Sequence, residues 1–554
     1  MAVLSGTLVT RLYYLQVVER ENFLEQADRQ HFSPSGALYD RGSIFFENKD
    51  SIKVSAATLR SGFILAINPT QVKDLEITYE KINKVVPIDR LEFFKRAGKQ
   101  GDPYEEIARH LSEVSAEKIQ SLKLPGVFLS KERWRSYPGE RLAGHAVGFV
   151  GYKGDKLMGR YGLEYFYEDT LSREGENPYG NFFAELFSNV KKVVSSRESL
   201  RGDIVTTIEP TVEGFLEKEL SSIQKKWDSK TSGGIIMDPK TGEIRAMASI
   251  PDFNPNALGA EKSSAIFSNP LVESVFEMGS IIKPLTVSAG INAGVITAES
   301  VYTDHGSISL DGAVISNFDG KARGAVSMQE VLNQSLNTGA AYIASKLGGA
   351  ELTRYFLSFG LGEETGIDLP NEAHGLVDNL KSPRALEYAT ASFGQGIAMT
   401  PIATVRALSA LANSGVLPNP RLVNRIEYKI GGSKTVSFSE GTRVLKPETA
   451  EEVTRMLVKV VDTALLGGTV KLPHWSVAAK TGTAEISKSG GGGYYEDKFL
   501  HSFFGYFPAY DPKFIVFLYT IEPKGVSFSS HTLTTPFLNI TKFLIDYYEI
   551  PSDR

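Results

Sequence analysis

The sequence predicts an α+β protein whose main body is an antiparallel sheet of about five strands flanked by helices, and three observations carry that prediction. GGIIMDPKTGEIRAMASI, residues 233–250, is two β-rich runs joined by Pro-Lys-Thr-Gly, a hairpin signal. SVAAKTGTAEI, LHSFFGYFPA and KFIVFLYTI read as three consecutive strands near the other end. Between these two regions, from about Asn269 to Ser414, helical patterns dominate and predict a helical subdomain.

Taken in order, residues 1–32 read as one helix, with apolar Leu12, Leu15, Val18, Phe23 and Leu24 at mixed three- and four-residue spacing. The apolar run before Arg11 is ten residues, well short of the roughly 20 that span a bilayer. It lacks a basic leader and a cleavage site, so it reads either as an amphipathic helix or as the outer end of a membrane helix. Residues 33–200 mix strand-like pieces (SGFILAI, GVFLS) with helical ones (DPYEEIARHLSEV). Pro34, Pro87, Pro103 and Pro125 break them often, which predicts an irregular α+β module. Residues 201–554 open with the helix TVEGFLEKELSSIQKKW and close with the amphipathic helix PFLNITKFLIDYYEI. Gly490–Gly493 suit a long, flexible connection between two of the late strands.

Composition narrows the function classes. The 554 residues are 42% hydrophobic and 23% charged, ordinary for a globular chain. A net charge of −5 with no Lys/Arg stripe argues against nucleic acid. The chain has no cysteine, so disulfides, thiol nucleophiles and cysteine-ligated metals are excluded. The eight histidines show no ligand spacing and no Gly-x-Ser-x-Gly turn occurs, so metal and Ser-His-Asp readings fall away.

One stretch carries chemistry. In FEMGSIIKPLTVSAGI, Ser280 follows a glycine, opens an apolar helix and precedes Lys283 by three residues. Positions i and i+3 share a helical face, which puts the amine within reach of the hydroxyl. Pro284 removes a backbone donor and predicts an irregular first turn. Ser-x-x-Lys alone is weak, because it recurs at Ser115–Lys118, Ser188–Lys191 and Ser222–Lys225, where solvated helix faces are the natural reading. Lys240-Thr241-Gly242 likewise reads as an ordinary hairpin turn. What raises the signal is order: Ser335-Leu336-Asn337 follows Ser280, and Lys480-Thr481-Gly482-Thr483 follows on a strand. In isolation, Ser335 and Asn337 read as helix-cap and helix-surface residues. Gly394-Gln395-Gly396 reads as a structural turn, and His474, Trp475 and His501 as packing or rim residues.

Ser-x-x-Lys, Ser-x-Asn and Lys-Thr-Gly in that order resemble the signature of penicillin-binding proteins and serine β-lactamases. FGLGEETGIDLPNEAHG, FGQGIAMTPIATVRALSALANSG, FFGYFPAYDP and, upstream, RLYYLQV, DRGSI and HAVGFVG resemble the class B penicillin-binding proteins. These are monofunctional peptidoglycan transpeptidases of division and elongation. The chain departs from their pattern at Met278 (usually Pro), at Leu336 (usually Ser), and in the FFENKD and LSREG segments; none of these removes a catalytic group.

The resemblance implies a membrane-anchor end and juxtamembrane helix at 1–32, a dimerisation-type pedestal domain at 33–200 and a transpeptidase domain at 201–554. It implies D,D-transpeptidation without a cofactor: Ser280 attacks the D-Ala-D-Ala bond of a stem peptide, and the acyl group passes to an amine of a neighbouring stem peptide. Lys283 is the implied base, Ser335 a proton relay, Asn337 a holder of Lys283 and substrate, and Lys480 a source of positive potential. Thr481, Gly482 and Thr483 are the implied substrate-binding strand, Gly482 keeping its edge clear. The backbone N–H groups of Ser280 and Thr483 are the implied oxyanion hole. β-Lactams would acylate Ser280. The chain would sit in the bacterial cytoplasmic membrane through one N-terminal helix, with its catalytic domain outside, beside a membrane glycosyltransferase partner. Asn337 in place of Asp leans toward a septal rather than an elongation role. A β-lactamase would not need about 200 residues of pedestal, and the Glu-x-x-Leu-Asn segment of its class A members is absent.

Overall fold

A computed structural model describes residues 39–99, 101–154, 156–173, 201–429, 432–436, 441–488 and 493–554. The helix expected over 1–32, the end of the 33–200 segment and glycines 490–492 lie outside the described residues. Among the described residues, no helix is long and apolar enough to cross a membrane.

Contacts divide the chain into two compact units. The smaller holds residues 39–41, 58–136 and 172–173; the larger holds 42–57, 137–171 and 201–554. Segments 42–57 and 137–171 precede residue 201 yet belong to the larger unit, because Ile44, Phe46, Val147 and Leu163 are buried in its main core.

In the smaller unit, residues 58–67 pair antiparallel with Glu105–Leu111 on one side and Val127–Ser136 on the other. Leu65, Ile67, Ile82, Phe93 and Ile119 form its core beneath the helices Leu75–Asn83 and Arg90–Ala97. Asp74 and Asp89 cap those helices by accepting hydrogen bonds from Ile77 and Glu92 N–H. The helical expectation for DPYEEIARHLSEV is corrected here. Glu105–Leu111 is a strand, and the helix begins only at Glu113, with Ser112 as its cap. Pairing with residues 58–67 overrides a weak helical preference.

The larger unit is built on helix α1 (Pro210–Trp227) and five strands: β1 (Thr231–Met237), β2 (Ile244–Ile250), β3 (Ala478–Ser487), β4 (Tyr494–Phe507) and β5 (Phe514–Ile521). The order is β3-β4-β5-β1-β2, and every neighbouring pair is antiparallel. Both faces of the sheet are covered. On β5, Ile515, Phe517 and Tyr519 enter one core while Phe514, Val516 and Leu518 enter the other, as the two-residue period of a strand requires. The second core is closed by α1, through Val212, Leu216, Leu220 and Ile223, and by the C-terminal helix Thr534–Tyr547, through Phe537, Ile540 and Leu544. Each such side chain contributes about 1.5–3 kcal/mol when fully buried. Glu209 caps α1 by accepting from Val212 N–H, and Pro210 occupies the first helical position.

On the opposite face lie α2 (Lys283–Asn292), α3 (Asn337–Leu347) and α4 (Pro401–Ala412). Helices dominate the middle region as expected, but it also holds strands that the helical pattern did not reveal. These are four short strands in two antiparallel pairs, Val301–Asp304 with Gly324–Ser327 and Ser307–Leu310 with Ala313–Ser316. The second pair turns through Asp311 and Gly312, both at positive φ (49° and 82°), which is the turn an Asp-Gly pair favours in a hairpin.

Candidate functional site

Ser280 sits in a tight 3₁₀ turn, Gly279–Ile282, that leads into α2. Proline is the cause. In an α-helix the Ser280 carbonyl would accept from residue 284, but Pro284 has no N–H, so the carbonyl accepts from Lys283 N instead. The turn is clamped by glycines. Gly279 adopts φ 64°, and a Cβ there would lie 2.7 Å from the Thr483 carbonyl oxygen on β3. Gly279 N–H donates to the Gly394 carbonyl at 3.1 Å. The Gly-Gln-Gly turn thus touches the residue beside Ser280.

The Lys283 side chain is fully buried. Its Nζ donates to Ser280 Oγ at 2.9 Å and to Asn337 Oδ1 at 2.8 Å, and also to the Ser335 carbonyl. Ser335 Oγ lies 3.2 Å away, and the Phe393 ring centroid 5.9 Å away. Ser335 has left-handed backbone, φ 56°, a conformation that costs a non-glycine residue on the order of 1–2 kcal/mol. It is held there while both its carbonyl and its hydroxyl lie against Lys283. Asn337 opens α3, and its Nδ2 donates to the Ser316 carbonyl at 2.9 Å. Lys480, also buried, donates to Ser335 Oγ and to the Thr481 carbonyl, each at 3.0 Å.

The electrostatics follow from this burial. Desolvation holds Lys283 well below the ordinary lysine range, and the neighbouring Lys480 pushes the same way. Desolvation alone brings Lys480 down to about 7. Two of the Lys283 partners, the Ser335 carbonyl and Asn337 Oδ1, can only accept, whereas Ser280 Oγ can accept or donate. Protonated Lys283 therefore satisfies all three. Neutral Lys283 keeps two N–H bonds and turns its lone pair to the Ser280 hydroxyl. Such a group can take up and release a proton without rearrangement.

On β3 the reason for Gly482 differs from the expected clear edge. A Cβ there would meet Ser502 Oγ at 2.3 Å and the Met278 carbonyl at 2.7 Å, so the glycine lets the Ser280 turn pack on the sheet. Ser502 Oγ donates to that same Met278 carbonyl at 2.7 Å. The Thr481 and Thr483 side chains are half-buried, and Thr483 Oγ1 accepts from Ser529 N at 3.2 Å. β3 is an edge strand, and beyond Thr483 its residues Glu485–Ser487 line a cavity of about 1000 Å³, together with Glu277 and Tyr494.

All eight residues picked out in sequence thus converge on one turn, one helix start and one edge strand. Sequence reasoning missed Phe393 and Ser316, and it assigned Gly394 only to a nearby turn. A lone aromatic or a backbone carbonyl leaves no pattern to read. Trp475 Nε1 donates to the Ile550 carbonyl at 3.1 Å, away from this cluster, whereas His501 sits opposite Thr483 on β4, buried with Nδ1 3.0 Å from Thr532 Oγ1.

Residues 233–541 match the family described as Penicillin binding protein transpeptidase domain, and residues 36–207 match the Penicillin-binding Protein dimerisation domain. The chain is 29% identical to stage V sporulation protein D of Bacillus subtilis, over 95% of this chain and 81% of the relative. It is 28% identical to a probable peptidoglycan D,D-transpeptidase, PenA, of Neisseria gonorrhoeae, over 97% of this chain and 89% of the relative. Among solved structures it is similar to penicillin-binding protein 3 of Mycobacterium tuberculosis complexed with aztreonam. That match has a TM-score of 0.67 and 25% identity, and covers 77% of this chain and 92% of the other. Penicillin-binding protein 2X of Streptococcus thermophilus shares the fold at TM-score 0.75 and 19% identity, over 92% of this chain and 80% of the other. The chain belongs to the penicillin-binding protein transpeptidase family.

Proposed function

We propose that this protein is a serine D,D-transpeptidase that cross-links peptidoglycan stem peptides. The observation that carries the reading is Lys283 Nζ, buried, depressed in pKa and 2.9 Å from Ser280 Oγ. A serine hydroxyl needs an adjacent base to attack at neutral pH, and a lysine serves only when its pKa is lowered.

Ser280 Oγ adds to the carbonyl carbon of the D-Ala-D-Ala bond while its proton passes to Lys283. The backbone N–H groups of Ser280 and Thr483 hold the developing oxyanion; losing one such donor costs about 10²–10³ in rate. The C–N bond then breaks, and Ser335, between the two lysines, passes a proton to the departing D-Ala amine. Lys480, Thr481 and Thr483 hold the terminal carboxylate of the donor. Asn337 keeps one N–H for the substrate amide. The amine of a second stem peptide next attacks the acyl ester and releases Ser280. β-Lactams acylate the same serine, and the aztreonam complex of the Mycobacterium tuberculosis protein supports this part of the reading. Asn337, where an Asp would favour elongation, supports septal synthesis. From the resemblance of RLYYLQV and the motif set to class B penicillin-binding proteins, the reading extends to a single N-terminal membrane helix, an externally placed catalytic domain and a membrane glycosyltransferase partner.

Labelling with a fluorescent penicillin tests the reading. A stable adduct lasting hours and lost in Ser280→Ala is expected. Rapid release of hydrolysed penicillin would indicate a β-lactamase, and no labelling would overturn the catalytic reading.

A further inference from the structure

Asp304 ends the strand Val301–Asp304 and is almost completely buried, 1% exposed. The Arg323 guanidinium feels its charge but pairs directly with Asp319, and among the described residues the Asp304 carboxylate is filled with hydrogen bonds rather than a direct ion pair. Oδ1 accepts from Thr338 Oγ1 at 2.7 Å and from Gly306 N at 3.0 Å. Oδ2 accepts from Arg323 N at 3.0 Å, and Asn317 Nδ2 lies 3.0 Å from both oxygens. These bonds hold its pKa below the ordinary range although burial opposes them. A carboxylate filled in this way is ionised and rigid.

Two of its four donors lie one residue from the site. Asn317 follows Ser316, whose carbonyl accepts from Asn337 Nδ2 at 2.9 Å. Thr338 follows Asn337, and its N–H donates to Asn317 Oδ1 at 3.3 Å. The Tyr302 hydroxyl, 3.1 Å from Thr338 Oγ1, completes a chain from Tyr302 through Thr338 to Asp304. Asp304 therefore ties the Ser316–Asn317 peptide to the first turn of α3, on either side of Asn337.

An asparagine amide presents either its oxygen or its nitrogen after a half-turn about χ2, and its neighbours decide which. The Ser316 carbonyl only accepts, so it draws Nδ2 to itself and turns Oδ1 to Lys283. With the Ser335 carbonyl as the second fixed acceptor, the remaining direction at Nζ points to Ser280 Oγ. Were the amide reversed, the Lys283 amine would lose its Asn337 acceptor and with it one of the two fixed directions that aim it at Ser280.

Resting on the transpeptidase reading, we propose that Asp304 is a positioning residue for acyl transfer. It fixes the Ser316 carbonyl and the start of α3 so that Asn337 presents its oxygen to Lys283 and holds the base in line with Ser280. Asp304 touches neither substrate nor the reacting atoms; it acts through Asn337.

The experiment is a double-mutant comparison of acylation by fluorescent penicillin across pH, on the full chain. Asp304→Asn puts an N–H among donors and is expected to lower the second-order acylation rate at least tenfold and to move the acid limb of its pH profile. In an Asn337→Ala background the same substitution is expected to cost less than twofold, because the group it acts through is gone. Adding Asn317→Asp to Asp304→Asn restores a carboxylate–amide pair and is expected to recover much of the loss. Thr338→Val, a milder change that removes one donor, keeps the test open if Asp304→Asn folds poorly, with an expected loss of several-fold. Equal losses with and without Asn337, or a Thr338→Val rate within error of the unsubstituted chain, would overturn the positioning role alone. No labelling of the unsubstituted chain would overturn the transpeptidase reading and this role with it.

Discussion

Lys283 and Lys480 direct their side-chain nitrogens at one atom: Ser335 Oγ lies 3.2 Å from the first and 3.0 Å from the second. Two cations around one hydroxyl in a buried site repel each other, and burial already penalises both charges. The low-energy arrangement keeps Lys480 charged toward the substrate carboxylate and Lys283 neutral toward Ser280.

Acylation should therefore depend on pH with two limbs. It rises as Lys283 loses its proton and falls as Lys480, held at about 7, loses its own. Replacing Lys480 with Met removes one of the causes that depress Lys283, so the acid limb should move to higher pH as the rate falls. The check is the rate of penicillin labelling between pH 5 and 9, and an unmoved acid limb would separate the two lysines electrostatically.

Linkage gives Lys480 a stability signature as well. Its folded pKa of about 7 lies below the ordinary 10.5, so between these values the unfolded chain binds the extra proton. Stability from this group rises with pH through that window and is level below it. Denaturant unfolding at pH 7 and pH 9 should show a smaller gain in Lys480→Met than in the unsubstituted chain.

Gly394→Ala should disable the site from outside the motif residues. Gly394 is at φ 81°, and a Cβ there would lie 2.3 Å from the Gly279 carbonyl oxygen. Either the Ser280 turn moves or the Gly-Gln-Gly turn does. We expect a loss of roughly 1–3 kcal/mol in stability, typical of overpacking, and at least a tenfold loss in penicillin labelling. Thermal melting and labelling rate together read both effects.

Far from the nucleophile, Glu213 and Glu217 lie four residues apart on α1. Both carboxyls are pushed up, first by burial; Glu213 accepts from Met247 N at 2.7 Å and Glu217 from Ala143 N at 2.8 Å. Glu217 rises to about 7 from an ordinary 4.5. Between those values the folded chain holds a proton that the unfolded chain has lost, so stability falls as pH rises through the window. Glu217→Gln keeps an acceptor for Ala143 and removes the charge. It should match the unsubstituted chain at pH 4.5 and exceed it at pH 8 by on the order of 1–3 kcal/mol, read by denaturant unfolding.

Much of the site was legible because its parts are local. Ser280 and Lys283 share one turn, Pro284 announces the distortion of that turn, and Lys480 to Thr483 lie on a strand whose β-rich composition is plain. Other parts were not legible. Glu105–Leu111 has a helix-like composition and becomes a strand only because residues 58–67 supply its partner. The Asp311-Gly312 hairpin was hidden inside a region read as helical. Asp304, Asn317 and Thr338 are unremarkable in isolation, because a hydrogen-bond hub has no periodicity.

The sequence by itself determined the five strands of the main sheet, the α1 and C-terminal helices, the nucleophile turn and the order of the three motifs. Each depends on residue types at short spacing, where backbone geometry leaves few choices. Tertiary structure alone decided that Ser335, Asn337 and Lys480 meet at Lys283, that Gly394 and Gly482 are glycine to let the Ser280 turn seat between them, and that Lys283 is dry. Those outcomes depend on excluded volume and desolvation among segments up to 200 residues apart (Ser280 to Lys480), which no local pattern encodes.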